Sequence, residues 1–181
     1  DYPYQKIKDY RDQLRKEYFN SHPEMKLIIA PHVIDENHLV EIIGKLKRPS
    51  VRYTRADEKN VRKADCLIID CFGLLSSIYR YGEIAYIGGG FGVGIHNTLE
   101  AAVYGIPVIF GPKYQKFNEA VSLIREGGAF SISNGAELPE ILDSLIQHPA
   151  IAVTAGQKAL EYVNSQLGAT AVISEALSTT I

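Results

Sequence analysis

Residues Gly88 to Gly94 hold five glycines in seven positions, and His96, Asn97 and Glu100 follow at once. Glycine lets a backbone take positive φ and lets a ligand approach closely. A helix starting directly after such a loop offers unpaired N–H groups and a partial positive charge, both suited to a phosphate. Asn97 and Glu100 are three apart and share a face of that helix. A carboxylate there accepts two hydrogen bonds from a ribose diol, and an amide donates to a phosphate or sugar oxygen. Other readings fit the same residues. The glycines suit a tight structural turn, and Asn97 and Glu100 suit an N-cap with its capping-box partner. Spacing leaves these roles open.

Two nucleotide fingerprints fail. G-x-G-x-x-G needs glycine where Val93 or Ile95 stands, and no Gly-Lys-Ser/Thr follows to make a P-loop. His22, His32, His38, His96 and His148 lack any H-x-x-x-H or H-E-x-x-H spacing, so no metal site is expected.

The elements that must position these residues alternate along the chain. Short runs apolar on both faces occur at 25–30, 51–53, 66–70, 84–88, 107–111 and 129–133. Between them lie helical patterns. Ile7, Tyr10, Leu14 and Tyr18 make an amphipathic first helix, and Asp35 caps a second. Others are expected at 73–82, ended by Gly82, at 96–105, ended by Gly105, and at 116–128. Asn134 and Glu137 open another in capping-box fashion, and a last helix runs from Ala150 to near the end, with a break at Gly168. Apolar strands separated by helices mean βαβ units and a parallel sheet. One Rossmann-like α/β domain over 1–181, with helices on both faces, is the expectation, and ligands of such sheets sit at the carboxyl ends of the strands. The loops after Ala30, Asp70, Ile87 and Phe110 should form one rim.

Composition narrows the class. The chain has 181 residues, 46% hydrophobic and 22% charged, as in ordinary globular proteins. A net charge of −2 gives no basic field for nucleic acid. The densest basic stretch, Lys45 to Lys63, carries eight Lys or Arg and reads as a solvated surface segment, with a patch facing anionic lipid or phosphate as the alternative. Cys66 and Cys71 read as reduced thiols, buried in a cytosolic protein. No apolar run approaches the ~20 residues of a membrane span, and no signal peptide is evident. The opening residues read as mid-chain, a piece of a longer protein.

The run YIGGGFGVGIHNTLEAAVYGIPVIFGPKYQKFNEA, 86–120, resembles the core of the 3-deoxy-D-manno-octulosonic acid (Kdo) transferases of lipopolysaccharide synthesis. The shared pattern is the glycine loop, His96-Asn97, Leu99-Glu100, Gly105 to Val108, Phe110 to Pro112, and Phe117 with Glu119. IIDCFGLLSSIY resembles the family's Asp-x-x-Gly loop, and IIAPHVIDE its strand ending in Pro and basic residues. The likeness covers about 26 to 170.

The resemblance implies a GT-B glycosyltransferase, two Rossmann-like domains facing across a cleft, of which this chain would be the C-terminal, donor-binding one. The donor would be CMP-Kdo and the acceptor a lipid A precursor, with no metal and no cofactor. Glu100 would hold the ribose, and Asn97 the phosphate or ribose. The backbone of Gly88, Gly89, Gly90, Phe91 and Gly92, with the helix opening at His96, would receive the phosphate. Pro31, His32 and the loop Phe72-Gly73-Leu74 would border the cytosine and phosphate. The chain departs from the family at three points. Pro31-His32-Val33 replaces Pro-Arg-His, exchanging a permanent cation for an imidazole. Gly73-Leu74 replaces Gly-Glu. Lys116 stands where Asn is common and could restore positive charge. The family's catalytic base is a Glu of the N-terminal domain, so this chain alone is expected to bind a nucleotide at best and not to turn over. The strand and Ser-Thr loop that usually open the donor domain are not seen in it. The parent enzyme would sit at the cytoplasmic face of a Gram-negative inner membrane, associating with that membrane through its other half. Alternatives are a UDP-sugar transferase or UDP-sugar 2-epimerase, which would prefer uridine, and a non-catalytic module keeping an old nucleotide pocket.

Overall fold

The computed structural model describes residues 17–92 and 94–168. Six strands occupy the apolar runs: β1 Leu27–Ile29, β2 Ser50–Arg52, β3 Cys66–Ile68, β4 Ala85–Tyr86, β5 Val108–Phe110 and β6 Ala129–Ser131. The helices are α1 Phe19–Ser21, α2 Glu36–Gly44, α3 Glu58–Val61, α4 Leu75–Ile78, α5 Leu99–Ala102, α6 Asn118–Glu126, α7 Glu137–Gln147 and α8 Pro149–Ser165. Most of the amphipathic first helix, and the tail beyond 168, fall outside the described residues.

The strands are parallel, but they form two sheets where one was expected. The orders are β1-β3-β2 and β4-β5-β6. Ile68 pairs with both Ile29 and Arg52, and Ile109 with both Tyr86 and Phe130. Among the described residues no ladder joins the sheets. Side chains join them instead. Met25 packs against the core of each, and the neighbours Tyr18 and Phe19 are buried in different cores. Tyr18 also donates its hydroxyl to Asp143 on α7 at 2.7 Å. Apolar content identifies a strand, but which strand lies beside it is a tertiary outcome.

The central strand β5 is wholly buried, as a parallel strand covered on both faces should be. Val108, Phe110, Ala120 and Leu123 form the centre of one cluster. Capping follows the side chains present. Asp35 accepts from the His38 N–H at 2.9 Å. Asn134 accepts from the Ala136 N–H at 2.9 Å, while the Glu137 carboxylate returns to the Ser133 N–H at 2.7 Å. Helix α3 has no counterpart in the sequence reading, because four residues show no period. Its signal was Asp57-x-x-Asn60, which makes a full capping box.

The stretch Lys45–Lys63 is less solvated than expected. The Arg48 guanidinium lies 4.2 Å over the Phe19 ring and donates to the carbonyls of Phe19, His22 and Pro23. Arg52, 8% exposed, makes a bidentate pair with Glu36 at 2.7 and 2.8 Å. Both arginines are structural parts of the first sheet's packing.

Leu123 is fully buried between α6 and β5. Leu123→Ala should cost about 2–5 kcal/mol of stability. A urea titration would show this as a lower midpoint with an unchanged slope.

Candidate functional site

Parallel strands put the loops at their carboxyl ends on one edge of each sheet. The two edges meet at a ring contact. His32, after β1, and His96, after β4, have ring centroids 5.6 Å apart and planes 29° apart. Both imidazoles are exposed. No spacing rule joins positions 64 residues apart, so this pairing belongs to the fold alone.

The glycine loop folds back on itself. Gly89 bridges Ile95, the Gly90 N–H donates to the Gly94 carbonyl at 2.6 Å, and the His96 N–H donates to the Gly88 carbonyl at 3.3 Å. Gly90 has φ +78°, and a Cβ there would lie 2.8 Å from the Gly111 backbone. That glycine answers to the next loop rather than to a ligand. Gly88 differs: it is exposed, and a Cβ on it would meet only the His96 ring at 3.7 Å. The turn reading therefore accounts for Gly89 and Gly90, and Gly88 keeps an open backbone.

One expectation needs correction, and two gain detail. The helix does not open at His96. It begins at Leu99 and runs four residues, because the chain before it is still paired to Gly88. His96 and Asn97 are loop residues, so partial charge at a long helix end is not what the site offers. Next, the Phe91 side chain is 6% exposed and packs in the core with Ile109 and Ile132. Finally, the cation held at the glycine loop is Lys113. Its Nζ donates to the Gly92 carbonyl at 3.1 Å and its N–H to the Gly90 carbonyl at 2.9 Å. Lys116 is exposed and makes no hydrogen bond or ion pair among the described residues. Lys113 directly follows Phe110-Gly111-Pro112, and that adjacency was the available signal.

Asn97 and Glu100 do form a capping arrangement. Asn97 Oδ1 accepts from the Leu99 N–H at 3.0 Å, and its Nδ2 donates to Glu100 Oε1 at 3.1 Å. The cap orients the carboxylate without consuming it, since among the described residues Glu100 Oε2 accepts no hydrogen bond. Tyr79, which the sequence reading passed over, lies close by. Burial, helped by the Glu100 charge, pushes its phenol up to about 12, so it stays a neutral hydroxyl at ordinary pH.

Phe72, 83% exposed, and Gly73, with φ +87° and open space around it, crown the loop after β3. Leu74 follows, half-buried. Among the described residues no hydrogen bond or ring contact ties Phe72, Gly73 or Leu74 to the glycine loop, whereas Pro31-His32 reaches it through the ring pair. The β3 loop is anchored to the β2 loop instead. Asp70 accepts from the Thr54 N–H at 2.9 Å and hydroxyl at 2.6 Å. Among the described residues no three His, Cys, Asp or Glu side chains gather as a metal site. The site thus joins open backbone at Gly88, two imidazoles, an ammonium and an oriented carboxylate, a set able to hold a phosphate beside a diol.

No family model matches the chain. Curated relatives do. The 3-deoxy-D-manno-octulosonic acid transferase of Aquifex aeolicus is 33% identical over 133 residues, 72% of this chain and 36% of that protein. The probable mitochondrial 3-deoxy-D-manno-octulosonic acid transferase of Arabidopsis thaliana is 34% identical over 142 residues, 74% of this chain and 31% of that protein. The chain is homologous to the Kdo transferases. It spans about a third of the length of these relatives. The C-terminal CMP-Kdo binding domain of WaaA from Acinetobacter baumannii shares its fold, with a TM-score of 0.68, 22% identity, and coverage of 87% of this chain and 83% of that one. The Rossmann-like α/β class expected from the sequence is therefore shared with that solved domain.

Asp70 provides a pH test of how the rim is held. Burial pushes its carboxyl up, but the Thr54 bonds outweigh this and leave it below the usual carboxylate value. Its stabilising share is thus present above the unfolded value of about 4 and fades as pH falls through the folded value. Thr54→Val removes the hydroxyl bond. An NMR carboxyl titration should then show Asp70 moving upward, with acid unfolding starting at a higher pH.

Proposed function

We propose that this chain binds the CMP-Kdo donor of a Kdo transferase. The observation that carries the reading is Glu100, oriented by Asn97, the residue after His96, whose N–H holds the Gly88 carbonyl and whose ring faces the bare Gly88 backbone. In this reading Glu100 accepts from the ribose hydroxyls. The phosphate lies against Gly88, with His32, His96 and Lys113 as its cationic or donor neighbours. Lys116 adds charge at longer range, Pro31 shapes the wall beside His32, and Phe72-Gly73-Leu74 covers the base. A departing CMP carries growing negative charge, and prearranged donors of this kind stabilise it. CMP-Kdo is the substrate, and the proposal invokes no metal or further cofactor.

The relatives' names and their greater length support the wider part of the proposal. The parent enzyme would be a GT-B glycosyltransferase of lipopolysaccharide synthesis, with this chain as its C-terminal domain. It would move Kdo to a lipid A precursor at the cytoplasmic face of an inner membrane, its other half supplying the general base, the acceptor site and the membrane contact. Among the described residues of this chain no helix is long and apolar enough to cross a membrane.

Calorimetric titration of the chain with CMP, UMP and AMP tests the donor. CMP should bind best, and Glu100→Ala should weaken it about 10- to 100-fold, the worth of hydrogen bonds to a charged group. Preference for UMP would move the reading to a UDP-sugar enzyme, and absence of nucleotide binding to a non-catalytic module. A separate assay addresses turnover. Incubated with CMP-Kdo and a lipid A precursor, the chain alone should release no CMP above background.

A further inference from the structure

A second concave surface lies at the other edge of the first sheet. In the order β1-β3-β2 the donor loops follow β1 and β3, whereas β2 is the opposite edge strand and none of its cavity's lining residues belongs to the donor set. Along β2 runs a cavity of about 400 Å³, bounded by Ile43 of α2, Pro49 to Arg52, Arg55, and, around α3, Asn60, Lys63 and Ala64. Its wall is apolar at Ile43, Pro49, Val51 and Ala64 and cationic at Arg52, Arg55 and Lys63.

The charges around it are unevenly spent. Lys45 pairs with Glu41 at 2.6 Å, Arg48 with Asp65 at 3.3 Å, and Arg52 with Glu36. Arg52 uses two guanidinium N–H groups on Glu36, leaving the others of its five. Arg55 and Lys63 are exposed, and their side chains make no ion pair or hydrogen bond among the described residues. The acids nearest in sequence are already committed or outside the wall. Asp57 caps α3, and Glu58 does not line the cavity. Glu36, whose charge is coupled to Arg55, is engaged by Arg52. The result is a hollow of small-molecule size with an apolar wall, a nearly buried arginine and two uncommitted cations.

We infer that this cleft is an anion site for an organic phosphate, the phosphate on Arg55 and Lys63 and an apolar portion on Ile43, Pro49 and Val51. It is separate from the donor site and does not rest on the donor proposal. Two sources carry this chemistry, the headgroup of an anionic phospholipid and a soluble phosphate ester.

The experiment uses the whole chain, Arg55→Gln, Lys63→Gln and the double variant, with circular dichroism to verify folding. One arm measures co-sedimentation with phosphatidylcholine vesicles with and without phosphatidylglycerol. The other follows backbone amides by NMR during addition of glycerol 3-phosphate. Capture by phosphatidylglycerol vesicles, weakened about fivefold per cation removed, supports the inference and identifies a lipid source. Shifts at Ser50, Val51 and Asn60 with glycerol 3-phosphate, lost in the double variant, support it and identify a soluble source. Binding in neither arm overturns it. So does binding that the double variant leaves intact, or that Lys158→Gln, outside the cleft, weakens equally.

Discussion

Gly90 and Gly111 stand back to back with no room for a side chain on either. A Cβ on Gly90 would lie 2.8 Å from the Gly111 Cα, and one on Gly111 would lie 2.7 Å from the Gly89 carbonyl oxygen and from the Phe91 ring. This contact brings the loop after β4 onto the loop after β5. The Lys113 N–H then closes on the Gly90 carbonyl, and its ammonium reaches Gly92. With the loop held so, Gly94 turns the chain back under Phe117, Ile95 pairs with Gly89, and His96 arrives beside His32. Without the backbone contact the cation, the imidazoles and the open Gly88 would not share one edge.

This constraint changes which physical effect serves an anion here. Anion binding at a helix end draws on several free N–H groups and aligned peptide dipoles. Helix α5 has four residues, and the N–H of its first residue, Leu99, is already capped by Asn97. The charged donor held at this loop is a side chain instead, the Lys113 ammonium tethered to Gly92. The cap has a second consequence. By bonding one oxygen of Glu100 it restrains that side chain, so a group held this way has less freedom left to lose on binding any partner.

Legibility differed by the kind of information each feature needs. The central strand β5 could be read because a strand covered on both faces is apolar throughout, and the edge strands by their shorter apolar runs between helical patterns. The caps at Asp35 and Asn134 could be read because a short polar side chain and a free N–H lie within a few residues of each other. The division into two sheets could not, since strand pairing is decided between segments far apart in the chain. Nor could the His32–His96 pair, or the burial of Phe91, whose neighbours Ile109 and Ile132 come from later strands. Loop length misled as well. Counting from the glycines placed a helix start at His96, but the Gly89–Ile95 bridge delays it to Leu99.

The basic stretch Lys45–Lys63 shows why charge counts alone do not assign a surface. Its eight cations have at least two fates within nineteen residues. Arg48 and Arg52 lie beside the first sheet's packed elements, where a guanidinium removed from water must meet carbonyls or a carboxylate, and both do. Arg55 and Lys63 follow the strand and the short helix α3, where the chain has left the core and water can solvate them. The capping box of α3 fixes the turn between these two residues, so both come to line one cavity. A four-residue helix too short to read from periodicity thus decides whether two cations are scattered or convergent, and convergence is what distinguishes a binding surface from a solvated one.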